Sequence, residues 1–264
     1  MKKYLPMVLP ALLALFTSCS IKEDRSECPC YLELVADSRM EQLPEQRFLL
    51  SVFNGSNTAF REVFSVGWLD GSEYPTIQLR RGYVDVNALW GAFHGVVSGY
   101  RYIIPEGIQM DSLYSCTSRR VDATGELAVA SIFDAKQFCT IDIKLVPEER
   151  ESPFSLLMRG NVCGVDLRNL EPSHGKFRTL VREYAPSRFS VRVPRQYDAS
   201  LSLDFLLDGA VVSSFDLGAR IQQMGYDWKA ESLEDIQIEI DYANARISIN
   251  VGGWEMSWAY SIEI

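Results

Sequence analysis

The chain has 264 residues, with 26 basic against 35 acidic side chains and a formal net charge of −9. Such an acidic chain offers no basic face to nucleic acid or to an anionic leaflet, so neither is an expected partner. The length suits one large or two small domains, and no later segment approaches the roughly 18 consecutive apolar residues of a membrane-crossing helix.

Lys2 and Lys3 form a basic start and residues 5–16 an apolar run, the pattern of a signal peptide over residues 1–18. At about 1.5 Å of rise per residue the run is too short to cross a hydrocarbon core about 30 Å thick. It ends Leu15-Phe16-Thr17-Ser18-Cys19, which resembles the lipobox of bacterial lipoproteins, although Phe16 stands where Leu is usual. The resemblance implies cleavage after Ser18 and lipid on Cys19, with two or more acyl chains of the palmitate kind giving stable attachment. An ordinary secretory signal with a chance cysteine is the alternative. Cleavage would remove two lysines and no acid, so the charge would fall to −11.

Residues 19–27 are mostly polar and charged, as a tether between lipid and fold would be. Within them Lys22-Glu23-Asp24 is similar to the acidic signal that sends some Bacteroidota lipoproteins to the outer face of the outer membrane, and equally any solvated linker could contain it. With Cys19 set aside, Cys28, Cys30, Cys116, Cys139 and Cys163 remain, an odd number that cannot all pair internally. Cys28-Pro29-Cys30 lacks the two-residue spacing of a redox site and the four ligands of a zinc site, so no metal is expected. A disulfide to a later strand and simple buried thiols both stay open.

From Tyr31 onward the apolar period is two, which predicts strands. Residues 31–36, 48–53 and 84–90 are short apolar runs bounded by polar or turn residues. In residues 138–146, Cys139, Ile141, Ile143 and Leu145 share one face and Thr140, Asp142 and Lys144 the other. One face buried and one wet is the signature of an antiparallel sheet in a sandwich. The charged segment 147–153, with two prolines, marks a domain boundary, giving one sandwich over 28–150 and another over 151–264.

Strand patterns resume at 162–167 and 188–193. Residues 201–207 and 210–215 flank Asp208-Gly209, a two-residue type I′ hairpin signal because both turn positions need positive φ. A short helix is predicted over 216–224, ended by Gly225. Ile236, Ile238, Ile240 and Tyr242 then alternate with polar residues, Ala243-Asn244-Ala245 turns the chain, and Ile247, Ile249 and Val251 return it. No internal repeat is evident.

After Gly252-Gly253, Trp254, Met256, Trp258, Tyr260, Ile262 and Ile264 alternate with Glu255, Ser257, Ala259, Ser261 and Glu263. This amphipathic strand is a candidate donor to a neighbouring subunit, and more simply the last strand of its own domain. Tyr226-Asp227-Trp228 reads as aromatics packed under a turn rather than a sugar platform. His94 and His174 lie in turn-rich contexts without a nucleophile or carboxylate motif, and no phosphate-binding loop is present. No catalytic residue and no cofactor is expected.

Four features resemble the FimB family of fimbrial anchor and accessory lipoproteins of the type V pili of Bacteroides-like bacteria. They are Cys19 followed by Glu27-Cys28-Pro29-Cys30-Tyr31-Leu32; Gly82-Tyr83-Val84 leading to Leu89-Trp90-Gly91; Asp216-Leu217-Gly218 with Gly225-Tyr226-Asp227-Trp228 and Leu233-Glu234-Asp235-Ile236; and Ile240-Asp241-Tyr242-Ala243 followed by residues 247–251 and Trp254. Arg80-Arg81-Gly82 departs from the family's Pro-Gly turn. The resemblance implies a mostly β protein of two tandem transthyretin-like sandwiches, held to the outer membrane through Cys19 and facing the cell exterior. It also implies fimbrial stalk or accessory subunits as partners, joined by β-strand exchange without catalysis. A surface glycan-binding lipoprotein is the competing expectation, to be separated by the exposure of Trp68, Trp90, Trp228 and Trp258.

Overall fold

In strand β1 (Cys30–Ala36) every second side chain is apolar and inward, so Cys30, Leu32 and Leu34 are fully buried. The computed structural model describes residues 28–38, 47–65, 76–148 and 152–259. The predicted signal peptide, Cys19, the tether, Trp68, Tyr260, Ile262 and Ile264 all lie outside the described residues.

The first sandwich sets a three-stranded sheet, in the order β4 (Thr76–Leu79), β1, β9 (Leu127–Ile132), on a four-stranded one. The latter runs β3 (Asn57–Ser65), β2 (Arg47–Asn54), β5 (Gly82–Trp90), β8 (Tyr114–Ala123). Leu32, Phe48, Leu50, Val86 and Trp90 meet between them, with Phe48 and Trp90 rings 5.2 Å apart.

The second sandwich has a six-stranded sheet ordered β13 (Arg182–Ala185), β14 (Arg188–Pro194), β10 (Phe138–Val146), β17 (Ile236–Asp241), β18 (Arg246–Val251), β19 (Trp254–Ala259). It packs on β11 (Ser155–Asp166), which pairs with β12 (Pro172–Leu180) and with β15 (Ser202–Leu207), itself paired to β16 (Ala210–Phe215). Ile141, Ile143, Val191, Leu203, Phe205, Ile238 and Ile249 fill this core. The single described helix, α1 (Leu217–Gln223), ends just before Gly225 as predicted, and presses Leu217 and Ile221 into the same core. Asp208 and Gly209 have φ of 52° and 81°, the two positive values of the predicted β15–β16 turn.

The two sandwiches share a strand topology that the sequence conceals. β1 pairs antiparallel with β4 and parallel with β9, and β10 pairs antiparallel with β14 and parallel with β17. Likewise β3-β2-β5-β8 matches β12-β11-β15-β16. The second unit adds β13 beside β14 and the β18–β19 hairpin beside β17; the equivalent side of β9 carries no strand among the described residues.

The predicted division at 147–153 needs correction. β10 lies before that segment yet is an inner strand of the second sandwich, so residues 147–153 connect its two sheets. Charge and proline in a connecting segment therefore do not distinguish a join between two sheets of one sandwich from a linker between domains. Two further strands from the first half, β6 (Val96–Ser98) and β7 (Arg101–Ile103), also join the second sandwich, where β7 pairs with β11. A third buried cluster of Phe53, Leu89, Tyr102, Met110, Leu113, Phe138 and Val165 joins the two units.

Candidate functional site

A sheet edge is a row of main-chain donors and acceptors without partners, so edges are where a neighbouring chain would join. β19 is such an edge. It pairs antiparallel with β18 on one side, Trp254 opposite Val251, Met256 opposite Ile249 and Trp258 opposite Ile247, and among the described residues borders no strand on the other. Residues directly opposite in an antiparallel pair share a face. Ile247 and Ile249 are buried in the core, so Trp254, Met256 and Trp258 stand on the core-facing side of the sheet.

The facing sheet does not reach far enough to cover them. Trp254 is 82% exposed and Met256 45%, while Trp258 is partly buried, with Arg220 of α1 5.5 Å from its ring centre. The described part of the predicted strand is thus the last strand of its own sheet, with an apolar face left bare. Tyr260, Ile262 and Ile264 of the same pattern lie outside the described residues.

The first sandwich has an edge that the sequence reading missed. In β9 the small residues Ala128 and Ala130 point inward, whereas Leu127 and Val129 are 55% and 53% exposed, beside exposed Tyr31 of β1. The signal was present as large apolar residues alternating with alanines, but period-two alternation does not say which face is the core. The far end of β9 is closed onto β8, where Ser118 Oγ donates to Ser131 O (2.9 Å) and Phe133 N to Cys116 Sγ (3.2 Å).

The remaining candidates have structural partners. His94 Nδ1 lies 2.7 Å from Asp111 Oδ1, and Asp111 also accepts from the backbone N–H of Phe93, His94 and Gly95 and from the Tyr102 hydroxyl. Burial pushes the Asp111 carboxyl up, but these donors outweigh it and hold it below the usual carboxylate range. His174 Nδ1 is 3.0 Å from Asn161 O and its ring meets Tyr197 edge-on. Tyr226 donates its hydroxyl to Glu234 O (2.6 Å), lies tilted against Trp228 with ring centres 4.5 Å apart and, like it, packs on the second core, as predicted for aromatics under a turn. Trp90 is 1% exposed, and Trp228 and Trp258 are partly buried.

No disulfide joins the five described cysteines, of which Cys28 is exposed and the other four are buried. Burial pushes the Cys139 thiol up to about 12. Among the described residues no three His, Cys, Asp or Glu side chains gather as metal ligands would, and no helix is long and apolar enough to cross a membrane.

No family model matches the chain, and no curated protein does. Solved structures do. The fimbrial anchor protein Mfa2 from Porphyromonas gingivalis superposes with a TM-score of 0.63 at 12% identity, over 88% of this chain and all of that one. A candidate adhesin from Bacteroides ovatus gives 0.56 at 14%, over 90% and 97% of the two chains. A candidate polysaccharide-binding protein from Bacteroides thetaiotaomicron gives 0.56 at 12%, over 87% and 98%. The chain has the fold of these proteins. The mostly β architecture of sandwiches expected from the FimB-type resemblance is therefore the one observed.

Proposed function

We propose that this chain is a cell-surface fimbrial subunit of the anchor or accessory kind, lipidated at Cys19 on the outer membrane, that joins a neighbouring pilin by main-chain strand pairing and performs no catalysis. The observation that carries the reading is β19, an edge strand whose core-facing Trp254 and Met256 are exposed. An incoming strand would extend the sheet at the free side of β19 while its side chains covered these two, a contact that supplies both hydrogen bonds and apolar burial. Covering them fully is worth roughly 2 kcal/mol each. The shared fold with Mfa2, whose name describes a fimbrial anchor, supports the reading, as do the lipobox-like residues around Cys19.

The glycan-binding alternative needs a row of exposed indoles. Trp90, Trp228 and Trp258 make no such platform, being buried or packed on the cores, which favours the pilus reading.

A pull-down of the full chain from native membranes should recover fimbrial subunits, and a chain carrying Trp254→Ser with Met256→Lys should lose them while folding normally. Filaments that keep their attachment and length after deletion of the chain would sink the proposal.

A further inference from the structure

The repeated topology gives the chain an internal comparison. β4, β1 and β9 of the first sandwich hold the places of β14, β10 and β17 in the second. The outer faces of these matched sheets differ in chemistry. In the second sandwich the outward side chains include Asp142 and Lys144 of β10, Arg188 of β14 and Glu239 of β17, with Lys144 Nζ 3.1 Å from Glu239 Oε2. A sheet face that meets water is normally charged in this way.

In the first sandwich the corresponding face is nearly uncharged. Of the outward side chains of β4, β1 and β9, only Glu33 carries a charge. Tyr31 and Leu127 stand side by side in the β1–β9 register, and Val129 lies two positions further along the same face, about 7 Å away. These three are 45%, 55% and 53% exposed, while the smaller Ala128 and Ala130 take the inward places.

The place of this patch in the chain selects its occupant. Cys19 and Cys28 are nine residues apart, so lipid on Cys19 would hold the start of β1 within about 30 Å of a membrane surface. At that range an apolar contact too weak to form between free molecules becomes an intramolecular step and is populated. A tyrosine ring beside two aliphatic side chains suits the boundary between headgroups and acyl chains, where tyrosine is enriched. None of the outward side chains on this face is basic, so the contact does not select anionic lipid.

The geometry points to the outer face of β1 and β9 as a second membrane contact that lays the first sandwich on the lipid surface through Tyr31, Leu127 and Val129. This rests on the lipid anchor at Cys19 proposed above and uses none of the β19 residues.

The test is hydroxyl-radical footprinting, read by mass spectrometry, of the lipidated full chain on phosphatidylcholine vesicles. Oxidation of Tyr31 should fall about threefold or more relative to the unlipidated Cys19→Ser chain, as expected of a docked state populated most of the time. Tyr184 and Tyr197 of the second sandwich, 56% and 49% exposed, should keep their rates. The protection should persist in about 1 M salt, where charge is screened within about 3 Å. Leu127→Glu with Val129→Glu should return Tyr31 to the unlipidated rate while the chain still floats with the vesicles. Leu127→Thr with Val129→Thr, which keeps strand-forming side chains, should return it in part.

A chain whose mass shows no acyl groups overturns the anchor and this contact together. A chain that floats but leaves Tyr31 as reactive as in Cys19→Ser, or whose protection survives the two acids, overturns the contact and leaves the anchor standing. Protection that needs an added protein, or that appears without vesicles as the chain is concentrated, would assign the face to a protein partner or to a second copy instead.

Discussion

A Cβ added to Gly91 would stand 2.0 Å from the carbonyl oxygen of Ser112. Gly91 also has φ of +73°, a conformation that side chains resist. This explains the Trp90-Gly91 pair as a structural device: Trp90 fills the first core and the glycine lets the chain turn against the segment that returns from β7 to β8. Gly91→Ala should therefore cost roughly 3 kcal/mol or more, seen as a lower urea midpoint, since a backbone oxygen cannot swing aside as a side chain can. A loss under about 0.5 kcal/mol would show that the turn is not tight.

Asp111 and Asp204 set the acid limit of the fold. Both are 1% exposed, and both carboxyls are held below their ordinary range although burial acts the other way. For Asp204 the opposing donors are Arg159, whose Nη2 lies 2.7 Å from Oδ1, and Ser214 Oγ at 2.7 Å. A carboxyl with a depressed folded pKa adds stability that is complete above its unfolded pKa of about 3.9 and lost as pH falls through the folded value. Unfolding midpoints should thus be flat near neutrality and drop below about pH 4. Asp111→Asn should flatten that drop and cost roughly 1–3 kcal/mol at pH 7, because an amide cannot accept all five donors. An unchanged acid profile in the variant would exclude Asp111 as a contributor.

At β19 stability and assembly should separate. Trp254 and Met256 have little packing to lose, so Trp254→Ser with Met256→Lys should shift the stability of the isolated chain by less than about 0.5 kcal/mol. Capture of a fimbrial partner should nevertheless fail. A variant that unfolds, or one that captures its partner at full yield, contradicts the bare-edge reading.

Thiol chemistry checks the two cysteines of Cys28-Pro29-Cys30 one by one. A maleimide added to the native protein should modify Cys28 and spare Cys30, Cys116, Cys139 and Cys163, which become reactive only in denaturant. Peptide mapping by mass spectrometry reads the outcome. Rapid native labelling of Cys139, whose thiol burial holds near 12, would be incompatible with its place in the core.

The strands that were legible are those with a clear inside and outside. β10 and the β15–β16 and β17–β18 hairpins alternate strictly or carry turn residues that admit one backbone conformation. β3 was missed because it is an edge with every residue at least partly exposed, and β8 because its burial does not alternate.

The sequence by itself determined the period-two pattern, the positive-φ turn at Asp208-Gly209, the short helix before Gly225 and the amphipathic last strand, since each depends on residues close along the chain. Only the tertiary structure decided that β10, β6 and β7 belong to the second sandwich, that the two units repeat one topology, and that the apolar side of β19 is uncovered. Those outcomes depend on which distant strands meet and how far one sheet extends over the other, and alternation along a single strand carries no information about either.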